Sequence, residues 1–404
     1  MKSLFICFFI FVSIGVQAQI VTIPDAVFKD ALVNLDVVDT NGDGSGDSDA
    51  DTNDDGEIQV SEAEAVIGLY IPISGINSLV GLESFINIEI FQCQTNLFSS
   101  IDVTSMTNLR KLLIRDNQLE NLNITQNFLL DHIDCSGNEL SNLDVSNNTN
   151  LKFLDCSQNN ISALDVSQNS VLENLVASGQ AIFSMNLSQN PNLEILNIQN
   201  NNFTEIDLSN NPNLIELSCA QNQLSELDLS QNLYLELLLC FDNQLLGLDV
   251  SQNSNLEFLW CNENSLTYLN LRSGNNLGLN FMNAQDNPSL NCIQVDDVDY
   301  ANNNTNWQKD ITAVYSENCA LGVYEIDLTS SIVLYPNPIN DIVQIESNFS
   351  IEIESLQIYS LLGELVMSRQ GKTHQIDVSK LRSGVYFLKV STSRGEFTKK
   401  LLKK

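Results

Sequence analysis

With 404 residues, 43% of them apolar, and a mean hydropathy of −0.04, the chain has room for two folded domains and is too apolar to be wholly disordered. Its 51 acidic and 18 basic residues give a formal charge of −33, which makes nucleic acid and anionic lipid poor partners. Two histidines, His132 and His374, are too few for most hydrolytic triads and zinc sites.

The chain opens with MKSLFICFFIFVSIGVQAQ. Lys2 supplies a positive start, Leu4 to Ile14 an apolar run, and Val16 and Ala18 the small residues that signal peptidase accepts. The run is shorter than the roughly 20 residues that cross a bilayer. Residues 1–18 therefore read as a cleaved signal peptide that carries Cys7 away. The mature chain then starts near Gln19 and has no membrane span.

Residues 19–66 read as an N-terminal cap built around an acidic loop, DTNDDGEIQVSE. Asp51, Asn53 and Asp55 stand at positions 1, 3 and 5 of twelve, and Gly56 supplies the turn. Glu57 offers its carbonyl, Ile58 anchors the loop, and Glu62 stands where a carboxylate chelates with both oxygens. Hard oxygen donors at this spacing suit calcium better than magnesium. The bland alternative is a solvated acidic linker. Helices are expected on either side, over PDAVFKDALVNL and SEAEAVIGL, the second N-capped by Ser61. The loop resembles that of an EF-hand or a dockerin. Upstream, Asp39, Asn41, Asp43 and Gly44 begin the same pattern, but its twelfth residue is Ala50. Asp47 and Asp49 are the substitutes available for a second, weaker ion.

A repeat dominates the middle of the chain. Ile88 is followed by leucines every 21 residues from Leu109 to Leu277, which predicts ten coils without insertion. Three positions on stand Phe91, Leu112, Ile133 and so forth to Leu259, with Asn280 as the exception. Each half of a unit such as LKFLDCSQNNISALDVSQNSV alternates as a short strand and ends in a turn asparagine. No coil buries its leucines alone, so stability has to come from stacking between caps. The units resemble nested 21-residue leucine-rich repeats of bacterial surface proteins. That resemblance implies a mainly β, right-handed repeat solenoid used for binding, over residues 67–291.

Cys93, Cys135, Cys156, Cys219, Cys240 and Cys261 share the sixth position of the unit, where small core residues are expected, with Met282 placed alongside them. In-register side chains suit disulfide geometry poorly. Cys292 and Cys319 leave that ladder and are expected to staple a C-terminal cap over 292–319.

Positions 3, 5 and 7 face outward in the first strand. In the last coils this gives Leu237, Leu239 and Phe241; Phe258, Trp260 and Asn262; and Leu279, Phe281 and Asn283. Leu239, Trp260 and Phe281 are thereby predicted to form one apolar column. Two readings stay open, a binding site and a surface covered by the cap with its Trp307. The second strand carries an outward ladder that includes Asp102, Asp144, Asp165, Asp207, Asp228 and Asp249. Like charges one strand apart repel, so backbone and serine hydrogen bonds are expected to hold them. Cation or glycan binding there is a lesser option.

A linker over 320–331 precedes a change of charge. Residues 332–404 hold ten basic and seven acidic groups, against seven and 44 in 19–331. Short alternating strands there suggest a small antiparallel β-sandwich. YPNP from Tyr335, IYSLLGE from Ile358, IDVSKLRSGVYFLKV from Ile376 and the final KKLLKK resemble the type A sorting domain of type IX secretion. This implies a Bacteroidetes-type source, engagement of the secretion machinery and removal of the domain at the cell surface or on release. The alternative is an ordinary terminal β-domain retained for binding.

No nucleophile–base pair or catalytic carboxylate pair stands out. The chain reads as a non-catalytic, cell-surface or secreted protein-binding scaffold, adhesin-like. The alternative is a glycan-binding accessory of polysaccharide utilisation, with Trp260 and Phe258 stacking on sugar rings.

Overall fold

The computed structural model describes residues 19–41, 43–71, 75–319, 332–347, 353–371, 375–392 and 395–404. The expected signal peptide, with Cys7, and the expected linker lie outside them. The chain forms two compact units that divide after Glu317.

In the first unit, the first half of each coil from Ile90–Gln92 to Phe258–Trp260 forms a three-residue strand whose middle residue is buried. Phe153–Asp155 is typical, with Leu154 inside and its neighbours half-exposed. These strands pair in parallel and in register, so Leu154 stands between Ile133 and Leu175. Thirteen strands join into one sheet, from Val38–Asp39 to Trp307–Lys309. The outermost N-terminal pair is antiparallel, which ends the stack. One coil buries Leu151, Leu154, Cys156, Ile161, Leu164 and Val166. Each aliphatic among them contributes about 1.5–3 kcal/mol against leaving it in water. Helix α1 (Ala26–Asn34) covers the N-terminal end with Phe28, Ala31 and Leu32.

Two columns of buried asparagine hold the turns. At the ninth position, Asn159 accepts from the Leu140 N–H of the previous coil through Oδ1. Its Nδ2 donates to the carbonyls of Cys135, Cys156 and Ser157. At the nineteenth position, Asn127 and its equivalents every 21 residues to Asn253 are almost completely buried. There Nδ2 donates to carbonyls of the preceding coil, as from Asn190 to Val166 and Asn169, and Oδ1 has no partner.

The expectation of a second strand in every coil is corrected. Among the described residues, second-half strands form only at Gly247–Asp249, Tyr268–Asn270, Cys292–Gln294 and Val314–Ser316, which make a separate parallel sheet. In earlier coils, asparagine amides rather than a backbone ladder take the carbonyls of Val103, Ile124, Val145 and their equivalents.

The uninterrupted 21-residue step is also corrected at its last member. Leu277 is 75% exposed, whereas Leu279, Met282 and Ala284 are buried as the first, fourth and sixth residues of that coil. Two extra residues lie within Arg272–Asn275, ahead of the buried Asn276. Met282 therefore leaves the cysteine column and pairs with Leu259. The stack continues past residue 291, where Trp307 pairs with Met282 and Tyr315 with Ile293.

All six ladder cysteines are free and buried. Cys292 and Cys319 are disulfide-bonded. The second unit holds two antiparallel sheets. One contains Ile332–Tyr335, Ile342–Ser347 and Gln375–Asp377, and the other Leu365–Gln370, Ile353–Ser360, Gly384–Thr392 and Gly395–Lys403. Val343, Ile345, Leu356, Ile358, Leu388 and Val390 belong to its core.

Candidate functional site

The outer face of the long sheet changes character along its length. His132 and Phe153 stack at 4.1 Å on adjacent strands. Partial burial and then the nearby Lys111 lower the imidazole's pKa. Further along, Leu237 and Leu239 stand on one strand, Phe258 and Trp260 on the next, and Phe281 on the third. Phe241 follows the first of these strands and is half-buried.

The predicted column is corrected by the register. Leu239 pairs with Trp260, but Trp260 pairs with Asn283, and Phe281 pairs with Phe258. Leu279, expected to face outward, is buried. The aromatics still meet, Trp260 lying 4.5 Å from Phe281 and 6.1 Å from Phe258 between ring centroids. The 21-residue step put Phe281 in the wrong column. The exposed Leu277 beside the buried Leu279 is the trace of the insertion.

The cap does not lie over this strip. Trp307 extends the core, donating from Nε1 to the Leu279 carbonyl at 2.9 Å and meeting Tyr300 and Tyr315 edge-on. Phe258 remains 36% exposed.

The aspartate ladder is held as expected. Asp102 accepts from the N–H and hydroxyl of Thr104, and Asp165, Asp207, Asp228 and Asp249 accept from the serine N–H two residues on. Hydrogen bonds from Thr104 and from Ser209 hold the Asp102 and Asp207 carboxyls below their ordinary range. A groove of about 910 Å³ runs along this second face, lined by Glu205, Asp207, Glu226, Asp228, Asp249 and Tyr268.

The two acidic loops are wound alike. Asp51 accepts from the Gly56 N–H at 2.8 Å, and Asp39 from the Gly44 N–H at 2.9 Å. Asn53 accepts from the Asp55 N–H, and Asn41 from the Asp43 N–H. Asp55 accepts from Glu57 N–H, and Asp43 from Ser45 N–H. Gly56 and Gly44 take φ of +81° and +89°, which a side chain would strain. The second helix, α2 (Val60–Ala63), is N-capped by Gln59, not Ser61. Glu62 accepts from the Gln59 N–H and the Thr52 hydroxyl, so it closes a capping box as well as the loop. Asp47 braces its loop by accepting from Thr40 N–H and hydroxyl. Burial, and then the charges of Asp54 and Asp51, raise the Asp49 carboxyl's pKa.

The donors around Asp51 are hard oxygens of the kind calcium takes. Among the described residues, however, no three or more His, Cys, Asp or Glu side chains converge as a metal group. The Gln59 amide donates to both oxygens of Asp55, and it has to turn away for a cation to be held there.

Residues 333–404 match the family described as a secretion system C-terminal sorting domain. The chain is accordingly exported by type IX secretion, to the cell surface or beyond, and the tail is removed. No curated protein sequence matches the chain. Among solved structures, an internalin (InlF) from Listeria monocytogenes is similar at 17% identity and a TM-score of 0.51, covering 74% of this chain and 92% of that one. The functional domain of InlJ from the same organism, described as including a cysteine ladder, aligns at 20% identity over 96% and 99% of the two chains, with a TM-score of 0.41. The first likeness is one of fold, a leucine-rich repeat solenoid, and the second is too loose to add to it. Among the described residues no helix is long and apolar enough to cross a membrane.

Proposed function

We propose that the solenoid is a non-catalytic, adhesin-like protein-binding scaffold, exported behind the signal peptide of residues 1–18. The observation that carries this is the strip of Phe258, Trp260 and Phe281, with Leu237, Leu239 and Phe241 beside it, left open on a rigid sheet. Clustered large apolar side chains on a solvated face mark an interaction site, and aromatic anchors dominate binding energies at protein interfaces. The glycan alternative is disfavoured by the stacking. A sugar ring lies flat on a free aromatic face, and Trp260 already gives one face to Phe281. The sorting domain, in this reading, engages the secretion machinery and takes no part in binding.

Calcium is proposed as a structural ion at the N-terminal cap, held by Asp51, Asn53, Asp55, the Glu57 carbonyl and Glu62. A second, weaker ion at Asp39, Asn41 and Asp43, helped by Asp47 and Asp49, is a lesser proposal, because Ala50 offers no carboxylate.

Labelled full-length protein applied to arrays of proteins and polysaccharides tests the function. Binding to proteins that weakens at least about tenfold in Trp260→Ala is expected. Retention on polysaccharides alone, lost in the same variant, would establish the glycan reading instead.

A further inference from the structure

The charge around the strip narrows what can dock on it. Glu216, Glu236 and Glu257 stand beside the three strands, and Asp242 and Glu263 occupy the turns that follow them, all exposed. Asp242 and Glu263 sit in left-handed turns at φ 54°. Among the described residues none of these five carboxylates is in an ion pair. From Phe153 to Leu271 the sequence has 14 acidic residues and not one Lys, Arg or His. Lys29, Arg110, Arg115 and Lys152 form ion pairs on the cap and the earlier coils.

An apolar strip between two acidic margins does not suit every partner. A neutral apolar surface would strip water from the carboxylates without pairing them, which is unfavourable. An anionic polysaccharide would be repelled along both margins. Among the described residues a lone divalent cation has no convergent set of carboxylates to enter.

We propose that the strip docks a protein segment in which aromatic or aliphatic side chains alternate with lysine or arginine, a proposal that rests on the protein-binding reading above. The apolar groups pack over Phe258, Trp260 and Phe281, and the cations reach Glu236 and Glu257 on one side and Asp242 and Glu263 on the other. Such charge complementarity sets specificity and the rate of encounter, and it weakens as salt screens it.

The test is a random-peptide display library panned on the full chain, keeping peptides held by the wild type and released by a Phe258→Ala/Trp260→Ala double variant. The peptides kept should be enriched in Lys and Arg next to aromatic residues. Their affinity should fall at least about tenfold between about 0.05 and 0.5 M NaCl. It should fall similarly in a Glu236→Gln/Glu257→Gln/Glu263→Gln variant, whose exposed positions leave folding intact. Strip-dependent peptides that lack a basic excess, or that ignore salt and the charge variant, overturn the cationic partner while sparing the protein-binding reading. If no retained peptide depends on the strip, the protein-binding reading fails, and this proposal fails with it.

Discussion

Trp260 and Phe281 stack at 4.5 Å although they belong to different columns of the sheet. Phe281 stands beside Phe258, two positions back, and the indole lies across the diagonal. Cross-strand diagonal neighbours are within reach of aromatic side chains, so the strip behaves as one interlocked unit rather than three separate rings. Trp260→Ala should therefore weaken folding by about 0.5–1.5 kcal/mol through the lost stacking. It should weaken ligand binding by about 2 kcal/mol or more. A thermal melt beside a binding isotherm checks both. A loss of stability above about 3 kcal/mol would mark Trp260 as a core residue and end its role as a binding anchor.

That diagonal also shows what the sequence could and could not disclose. Leucine at a fixed step exposed the solenoid, its inward residues and its cysteine column, because burial at a strict period leaves a strict pattern. The insertion near Arg272 stayed hidden because Leu277 continues the period by coincidence while Leu279 takes the buried place. The second halves looked like strands because alternation reports burial, and Leu164 and Val166 are buried with or without a backbone ladder. The acidic loops were readable in their turns, since Asp and Gly there bond locally. Gln59 was not, because its hold on Asp55 depends on how the loop closes.

The two asparagine columns predict different costs. Asn159 is satisfied at both ends, so Asn159→Ala orphans the Leu140 N–H, while the carbonyls of Cys135, Cys156 and Ser157 keep the donors Asn138 Nδ2, Gln180 Nε2 and Gly137 N–H. Asn190→Ala removes donors from Val166 and Asn169 but strands no N–H, and it deletes an oxygen that had no partner. Each buried group left unpaired costs about 1–3 kcal/mol. Asn159→Ala should be the more destabilising by about 1–2 kcal/mol in urea unfolding. The reverse order would mean that the nineteenth position carries the stack.

Burial pushes the Cys156, Cys219 and Cys261 thiols up to about 12, so they are protonated in the folded chain at pH 9. A thiol freed by unfolding ionises near its ordinary 9.0. Because the folded value is the raised one, the contribution to stability is full below about pH 9 and is lost as pH rises toward 12. Alkylation should be slow on the native chain at pH 8 and should label six thiols in the unreduced, denatured mature chain, with Cys292 and Cys319 protected. Rapid labelling of Cys219 or Cys261 in the native state would contradict the buried column.

The calcium proposal is tested best with variants that respect the capping box. Glu62→Ala removes a possible ligand but also frees the Gln59 N–H, so its effect mixes two causes. Glu62→Gln keeps an acceptor for that N–H and loses the charge, and Asp51→Asn keeps an acceptor for the Gly56 N–H. With an affinity on the order of 10⁻⁴–10⁻³ M, as for extracellular modules, calcium at ten times its dissociation constant would stabilise the fold by about 1.4 kcal/mol. The wild-type melt should rise with calcium and fall with chelator, while Glu62→Gln and Asp51→Asn should melt alike in both. Magnesium at the same concentration should shift the wild type less, since it demands a tighter octahedral shell and keeps several waters. Identical wild-type melts with calcium and with chelator would leave the loop a hydrogen-bonded acidic turn and nothing more.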